Sequence, residues 1–368
     1  MWQDLKPLYR FPILIMGMLS LVVGILAGLG RLGISVPQVA LEQVSQHGVL
    51  MIPAFFGTVI GLERAVALGQ RWAYISPLLT GLAGIALLIG IPHLIPFALL
   101  AVGSLLFAIA SLKVVRIQNA IQNWILLGGA VALLLGNIQL FAGMLVSDIL
   151  YWWIAFLLLT IAGERLELSR LVIRDDKKRV WLAILCLVPL GGAVINIINP
   201  MLGTTLFAIG MLGIGLWLIL FDIARRTVRM QGLTRFTAVC MLTGYAWLFL
   251  SAVLFLGMLY GWGGIGRDSA LHTFLIGFVF SMVIGHALII FPAVTQLNIP
   301  YSPVFYLPLI FLQSSLIMRV VGGLSNNALL LTQGGLLNSI ALAVFIVTLV
   351  GSIVRGQIVT RQTRTGTG

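Results

Sequence analysis

Charge is scarce in this chain. Only 9% of its 368 residues are charged, and ten of them are acidic, whereas about a quarter of a soluble domain is charged. That scarcity excludes a soluble globular protein. Histidine occurs four times and cysteine twice. Cys186 and Cys240 stand alone inside apolar runs, which excludes a disulfide framework or a cysteine metal clip and leaves them as small core residues. No P-loop, dinucleotide fingerprint or zincin motif is present. The first apolar run lacks a small-residue cleavage pattern and is too long for a signal h-region, so it reads as an uncleaved first span.

What is abundant is hydrocarbon. Sixty per cent of residues are hydrophobic and the mean hydropathy is +1.11. The chain therefore reads as all-α, a polytopic integral membrane bundle filling residues 1–368 as a single transmembrane domain. Its partner is the lipid bilayer; oligomeric state is not legible. Twelve runs are long enough to cross: 11–31, 46–66, 73–91, 94–112, 121–146, 149–168, 180–198, 201–222, 236–260, 269–292, 303–323 and 332–354. The net charge of +12 comes from Lys and Arg in short loops between these runs, not from one patch. It calls for no nucleic acid and is the mark of cytoplasmic loops. With both termini cytoplasmic, every Lys and Arg falls inside except Arg31, Arg267 and Arg319. The longest loop is RLVIRDDKKR (170–179), and the polar tail after Arg355 is expected to be disordered.

The tenth run, DSALHTFLIGFVFSMVIGHALIIFP (268–292), holds two of the four histidines. A histidine inside a span is costly unless it has a partner or a task. His272 and His286 are fourteen residues apart, about 21 Å and nearly four turns of α-helix, so one face of a helix would carry both. Asp268, one turn before His272, would orient its ring. On this topology His47 and His272 both begin spans near the outer face. They would ligate a haem iron, with Met51, one turn from His47, as an alternative axial ligand. Phe55, Phe56, Phe274 and Phe278 would wall the macrocycle, and Gly48, Gly57 and Gly277 would let it approach the backbone. The plain alternative is that both histidines are interfacial residues. His286, deeper, would bind a metal, relay protons, or hydrogen-bond a neighbour through Gln296 or Asn298. No histidine spacing suits a mononuclear copper or zinc site. His93, in IPHLIP, reads as an exposed loop residue.

At the inner ends TVIGLER (58–64) and TIAGER (160–165) echo one another, and SMVIGH (281–286) echoes both, as an ancient repeat of spans would. Neighbouring residues on a helix do not face each other. Glu63 would therefore reach Arg165, and Glu164 reach Arg64, in a crossed lock, or the cluster would admit protons.

ALHTFLIGFVFSMVIG (270–285) resembles the corresponding helix of the NnrS family, twelve-span bacterial membrane proteins that hold haem and copper. QHGVLMIPAFFGTVIG (46–61) is similar in register to that family's early histidine helix. The two stretches and the span count cover about a sixth of the chain. Where a Gly-His-Thr-Gly-Arg-type segment would follow, this chain reads PAVTQLNIPYSP (292–303), so the resemblance is to a divergent branch and the copper site does not carry over. A more distant similarity is to subunit I of haem–copper oxidases, in which histidines of the second and tenth helices hold a low-spin haem. The sixth and seventh spans here contain no histidine, so an oxidase-type binuclear centre, and with it enzymatic turnover, is not expected. The resemblance implies a haem b protein of the bacterial cytoplasmic (inner) membrane, for electron transfer with respiratory partners or a nitric oxide response. The alternative is a proton-coupled secondary transporter without cofactor, lined by Glu63, Glu164 and His286.

Overall fold

A computed structural model describes residues 4–170 and 175–365, with the side chains of 264 and 359–365 left aside. In hydrocarbon every backbone N–H and C=O must be satisfied within the segment, which leaves helices as the means of crossing for runs like these. The chain obeys: among the described residues all regular structure is helical, and twelve helices are long and apolar enough to cross a membrane. They are Pro7–Arg31, Val44–Leu68, Arg71–Leu88, Leu94–Ile117, Ile121–Phe141, Val146–Ser169, Asp176–Asn196, Pro200–Phe221, Gly232–Leu259, Arg267–Thr295, Pro303–Leu324 and Ala328–Ile358. The hydropathy runs anticipate each one, with ends displaced by a few residues.

Two differences have physical causes. The polar tail after Arg355 is not disordered at its start: the last helix continues to Thr365. Ser352 Oγ donates to the Pro300 carbonyl at 2.6 Å, which holds this end against the loop before the eleventh span and lets the helix propagate past the apolar run. The second difference concerns Arg319. It falls within the eleventh span, as the 303–323 run has it, but it is buried there, 6% exposed, against a carboxylate. Of the 170–179 loop, residues 171–174, Arg174 included, lie outside the described residues; Asp175 caps the helix that follows by accepting from Lys177 N at 3.0 Å.

The chain divides into two compact units, Met1–Gly210 and Met211–Gly368. In the first unit the sixth span is the most buried, then the second; in the second unit it is the tenth. These are the three spans that carry the echoed motifs TVIGLER, TIAGER and SMVIGH. Packing is close where glycines face neighbouring backbone. A Cβ on Gly192 of the seventh span would sit 2.7 Å from Phe207 N and 2.9 Å from Gly203 O of the eighth, a contact only the smallest residue permits. Trp153, fully buried, donates Nε1–H to Asn137 Oδ1 at 3.0 Å, and Asn137 Nδ2 donates to the Leu100 carbonyl at 3.2 Å. That chain ties the fourth, fifth and sixth spans through groups that would be costly alone.

The second and tenth spans are not regular. Leu50–Phe56 and Thr273–Phe280 are π-helical, a form that is rare and concentrates at functional sites. In the second span Pro53 lies inside the segment; it has no N–H to give to the preceding turn and its ring crowds that turn's carbonyl. The tenth span has no proline there. Its Gly277 instead takes the Trp247 ring, with a Cβ position only 2.6 Å from Trp247 Cγ. A π turn advances less per residue than the ~100° of an α-helix. The fourteen residues between His272 and His286 are therefore not four even turns, and the shared face expected for them does not follow.

Gly192→Leu is expected to lower stability by about 1–3 kcal/mol through overpacking, read as a lower thermal unfolding midpoint in detergent. Gly191→Leu, with open space beyond its Cβ position, serves as the neutral control.

Candidate functional site

His47 starts the second span, and its position is set by the first. Its Nδ1 lies 2.7 Å from the Gly24 carbonyl. Its ring lies against Gly28, where a Cβ would come within 2.7 Å of Cε1. Met51 packs beside it, its Sδ 2.8 Å from a Cβ position on Gly24. Gly24 and Gly28 thus make a shelf, one turn long, that seats the imidazole and the thioether together. A carbonyl oxygen can only accept, so Nδ1 carries the proton and Nε2 the lone pair of the neutral ring.

His272 is held the same way from within its own helix. Nδ1 lies 3.0 Å from the Asp268 carbonyl oxygen and 3.0 Å from Asp268 Oδ1, so the expected orienting carboxylate is in place. The sequence did not signal what lies beyond it. Arg319 grips the same carboxylate bidentately, Nε to Oδ2 at 2.9 Å and Nη2 to Oδ1 at 2.7 Å, and Nη2 also stands 3.3 Å from His272 Nε2. The side chains of Arg319, His272 and Asp268 are 8%, 18% and 32% exposed. A guanidinium inside a span is tolerated only with such a partner.

Both rings therefore present Nε2 as the lone-pair nitrogen, the atom an iron ligand uses. The 3.3 Å contact from Arg319 is the longest of its three bonds. A group on Nε2 could take its place while the two bonds to Asp268 remain. Each imidazole, taken by itself, is a donor of the kind a haem iron takes. The walls suggested by the sequence are less available. Phe55, Phe56, Phe274 and Phe278 are all at most 4% exposed. Gly48 receives Val146 and Trp153, Gly57 lies by Thr80 and Leu133, and Gly277 receives Trp247 and Leu316. These glycines serve helix packing.

His286 is half-buried, with Nδ1 2.9 Å from the Met282 carbonyl of its own helix, rather than reaching Gln296 or Asn298 through that nitrogen. Among the described residues no three His, Cys, Asp or Glu side chains gather in a way that could hold a metal ion, so no copper ligand set can be drawn. His93 is exposed and stacks on Phe97.

Below His272 the π segment has a visible effect. Nine α-helical residues would turn roughly 900°, placing residue 281 opposite residue 272. Instead both face the eleventh span: His272 meets Arg319, and Ser281 Oγ accepts from Gln313 Nε2 at 2.9 Å, while Gln313 Oε1 accepts from Trp247 Nε1.

Where the second and sixth spans end in Glu63–Arg64 and Glu164–Arg165, one contact of the expected crossed lock is formed. Arg64 Nη2 donates to Glu164 Oε1 at 2.8 Å between the second and sixth spans. Glu63, next to Arg64, is half-buried. Arg165 is 3% exposed and is not without a partner.

Residues 10–354, nearly the whole chain, match a family described as a domain of unknown function, DUF8744. The chain belongs to the DUF8744 family. No curated protein matches it. The family match begins at Arg10 and ends at Val354, so it takes in all twelve spans at least in part, both π segments and both ends of the ion cluster. The DUF8744 fold thus includes the site residues and leaves the polar tail out.

Asp268→Asn would leave Arg319 without its counter-charge and is expected to cost about 3 kcal/mol, seen as a depressed unfolding midpoint. Adding Arg319→Met should recover most of the loss. A double variant as unstable as the single one would contradict this account of the cluster.

Proposed function

We propose that this chain is a haem-binding protein of the bacterial cytoplasmic membrane, with both termini inside and His47 and His272 as axial ligands. The observation that carries this reading is a coincidence of two rare features. Each π-helical segment begins within three residues of a histidine whose Nδ1 is tied to a backbone carbonyl. Neither feature is needed to cross a bilayer, and both cost stability.

Held by His47 and His272, haem b would supply one-electron chemistry, which suits electron transfer with respiratory partners or a response to a small gas such as nitric oxide. The protein's own part would be to orient and insulate. Gly24 and Asp268 hold the rings by Nδ1 and raise the basicity of Nε2. Arg319 balances the Asp268 charge, so that an uncompensated carboxylate does not face hydrocarbon.

A second reading, a proton-coupled transporter without cofactor, is favoured by one observation. Glu63 lies in a span with Arg64 given to Glu164, and a carboxylate so placed is a default candidate for proton handling. On that reading Glu63, Glu164 and His286 line the path.

A reduced-minus-oxidised visible spectrum of detergent-purified protein from haem-supplied cells separates the two. The haem reading expects sharp low-spin b-type bands near one haem per chain, lost in His47→Ala and His272→Ala while both variants remain inserted and folded. A colourless wild type, together with uptake abolished by Glu63→Gln, would establish the second reading instead.

A further inference from the structure

The third span begins in a 3-10 turn, Arg71–Tyr74, with Gln70 as its N-cap. That turn lies against the fourth span, Leu94–Ile117, whose last turns carry Lys113 and Arg116. Gln70 Oε1 accepts two bonds, from Trp72 Nε1 at 2.7 Å and from Lys113 Nζ at 2.6 Å, which uses both its lone pairs. The Lys113 ammonium also stands over the Trp72 ring, 5.7 Å from its centre, within reach of a cation–π contact. Its charge is nonetheless unanswered. Among the described residues Arg71, Lys113 and Arg116 meet no carboxylate, although Lys113 is half-buried. Asp4 reaches the same turn through Tyr74, at 2.7 Å, but Arg10 takes it at 2.6 Å. The end of the fourth span carries about half a negative charge from its carbonyls, too little to balance three cations. Arg116 follows Lys113 by three residues and so shares its helix face, and both Arg71 and Arg116 are exposed.

Unbalanced cations on an accessible surface select an anion, and depth says which one. Trp72 opens the third span, and Trp124, 53% exposed, lies in the first turn of the fifth. Indoles favour the level of the lipid headgroups, where a phosphate anchored by acyl chains is always at hand. We propose that Lys113 and Arg116, with Arg71 beside them, hold the phosphate of an anionic phospholipid where the third span begins and the fourth ends. Lys113 keeps two N–H donors after its bond to Gln70. Its stem lies along the indole while its head stays at the polar surface, so Gln70 and Trp72 aim the ammonium without spending its charge. Both indole N–H groups are already taken, Trp72 by Gln70 and Trp124 by Asn119 at 2.8 Å, which leaves the cations as the binding groups. A zwitterionic headgroup brings its own ammonium or choline cation, which these three side chains repel. Basic side chains between membrane helices are the usual means of holding a charged headgroup. The site is independent of the haem reading.

The test titrates full-length protein in detergent with phosphatidylglycerol or phosphatidylcholine and reads bound lipid by native mass spectrometry. Wild type should retain phosphatidylglycerol in preference to phosphatidylcholine. Lys113→Gln and Arg116→Gln should each weaken that retention about fivefold, the worth of one basic residue at an anionic surface. Lys113→Arg, which keeps the charge, should retain the lipid. Arg31→Gln removes an exposed cation at the other end of the first span and should change nothing. Arg116 makes no side-chain bond within the fold among the described residues, so its variant carries the comparison even if Lys113→Gln folds poorly. Equal retention of the two lipids by wild type would overturn the proposal. So would a loss in Arg31→Gln as large as in Arg116→Gln, since the effect would then be net charge rather than a site. Inorganic phosphate that raises the unfolding midpoint as far as phosphatidylglycerol does would show a free-phosphate site and overturn the lipid assignment.

Discussion

Hydrocarbon offers nothing to a polar atom, and this constraint organises everything else in the chain. It makes helices the means of crossing, and it makes each interruption of the helical ladder and each buried charge expensive. A span that is merely apolar carries little information. Where the chain accepts a π turn, a guanidinium or an imidazole inside a span, a compensating contact is found next to it. Arg319 has Asp268, His47 has the Gly24 carbonyl, and Trp153 has Asn137. These compensated positions lie mostly on the second, sixth and tenth spans or pack against them, the most buried spans of their units.

Helix packing supplies the cohesion that hydrophobicity cannot, since lipid tails are as apolar as leucine. Gly24 and Gly28 show how one device serves two ends. Their missing side chains let the second span approach the first closely, and the vacated surface fixes the orientation of His47 and Met51. Gly277 does the equivalent with Trp247 and Leu316. Where the sequence suggests room for a macrocycle beside such glycines, the neighbouring helix has already taken it.

Span number and approximate span limits were legible because hydropathy is a one-dimensional property of each run. The Arg64–Glu164 contact was legible because two similar motifs end two spans at one depth. Asp268 beside His272 was legible from a spacing of four. The burial of Arg319 was not: nothing local in its apolar run points to the distant carboxylate that stabilises it. The π segments were also invisible, since apolar content does not register a change from i→i+4 to i→i+5 bonding.

The π segments carry a consequence for how this chain can vary. A helix stretch bonded i→i+5 is an α-helix holding a residue to spare, so a one-codon deletion within Thr273–Phe280 would leave a regular helix. His272 would still face Arg319 and Ser281 would still face Gln313. Insertions and deletions, ordinarily ruinous inside a membrane helix, are for these two stretches an accessible route between a plain packing helix and one that carries a site. The regular spans have no such slack. The second and tenth spans are therefore the places where length polymorphism among related chains would record gain or loss of function rather than decay of the fold.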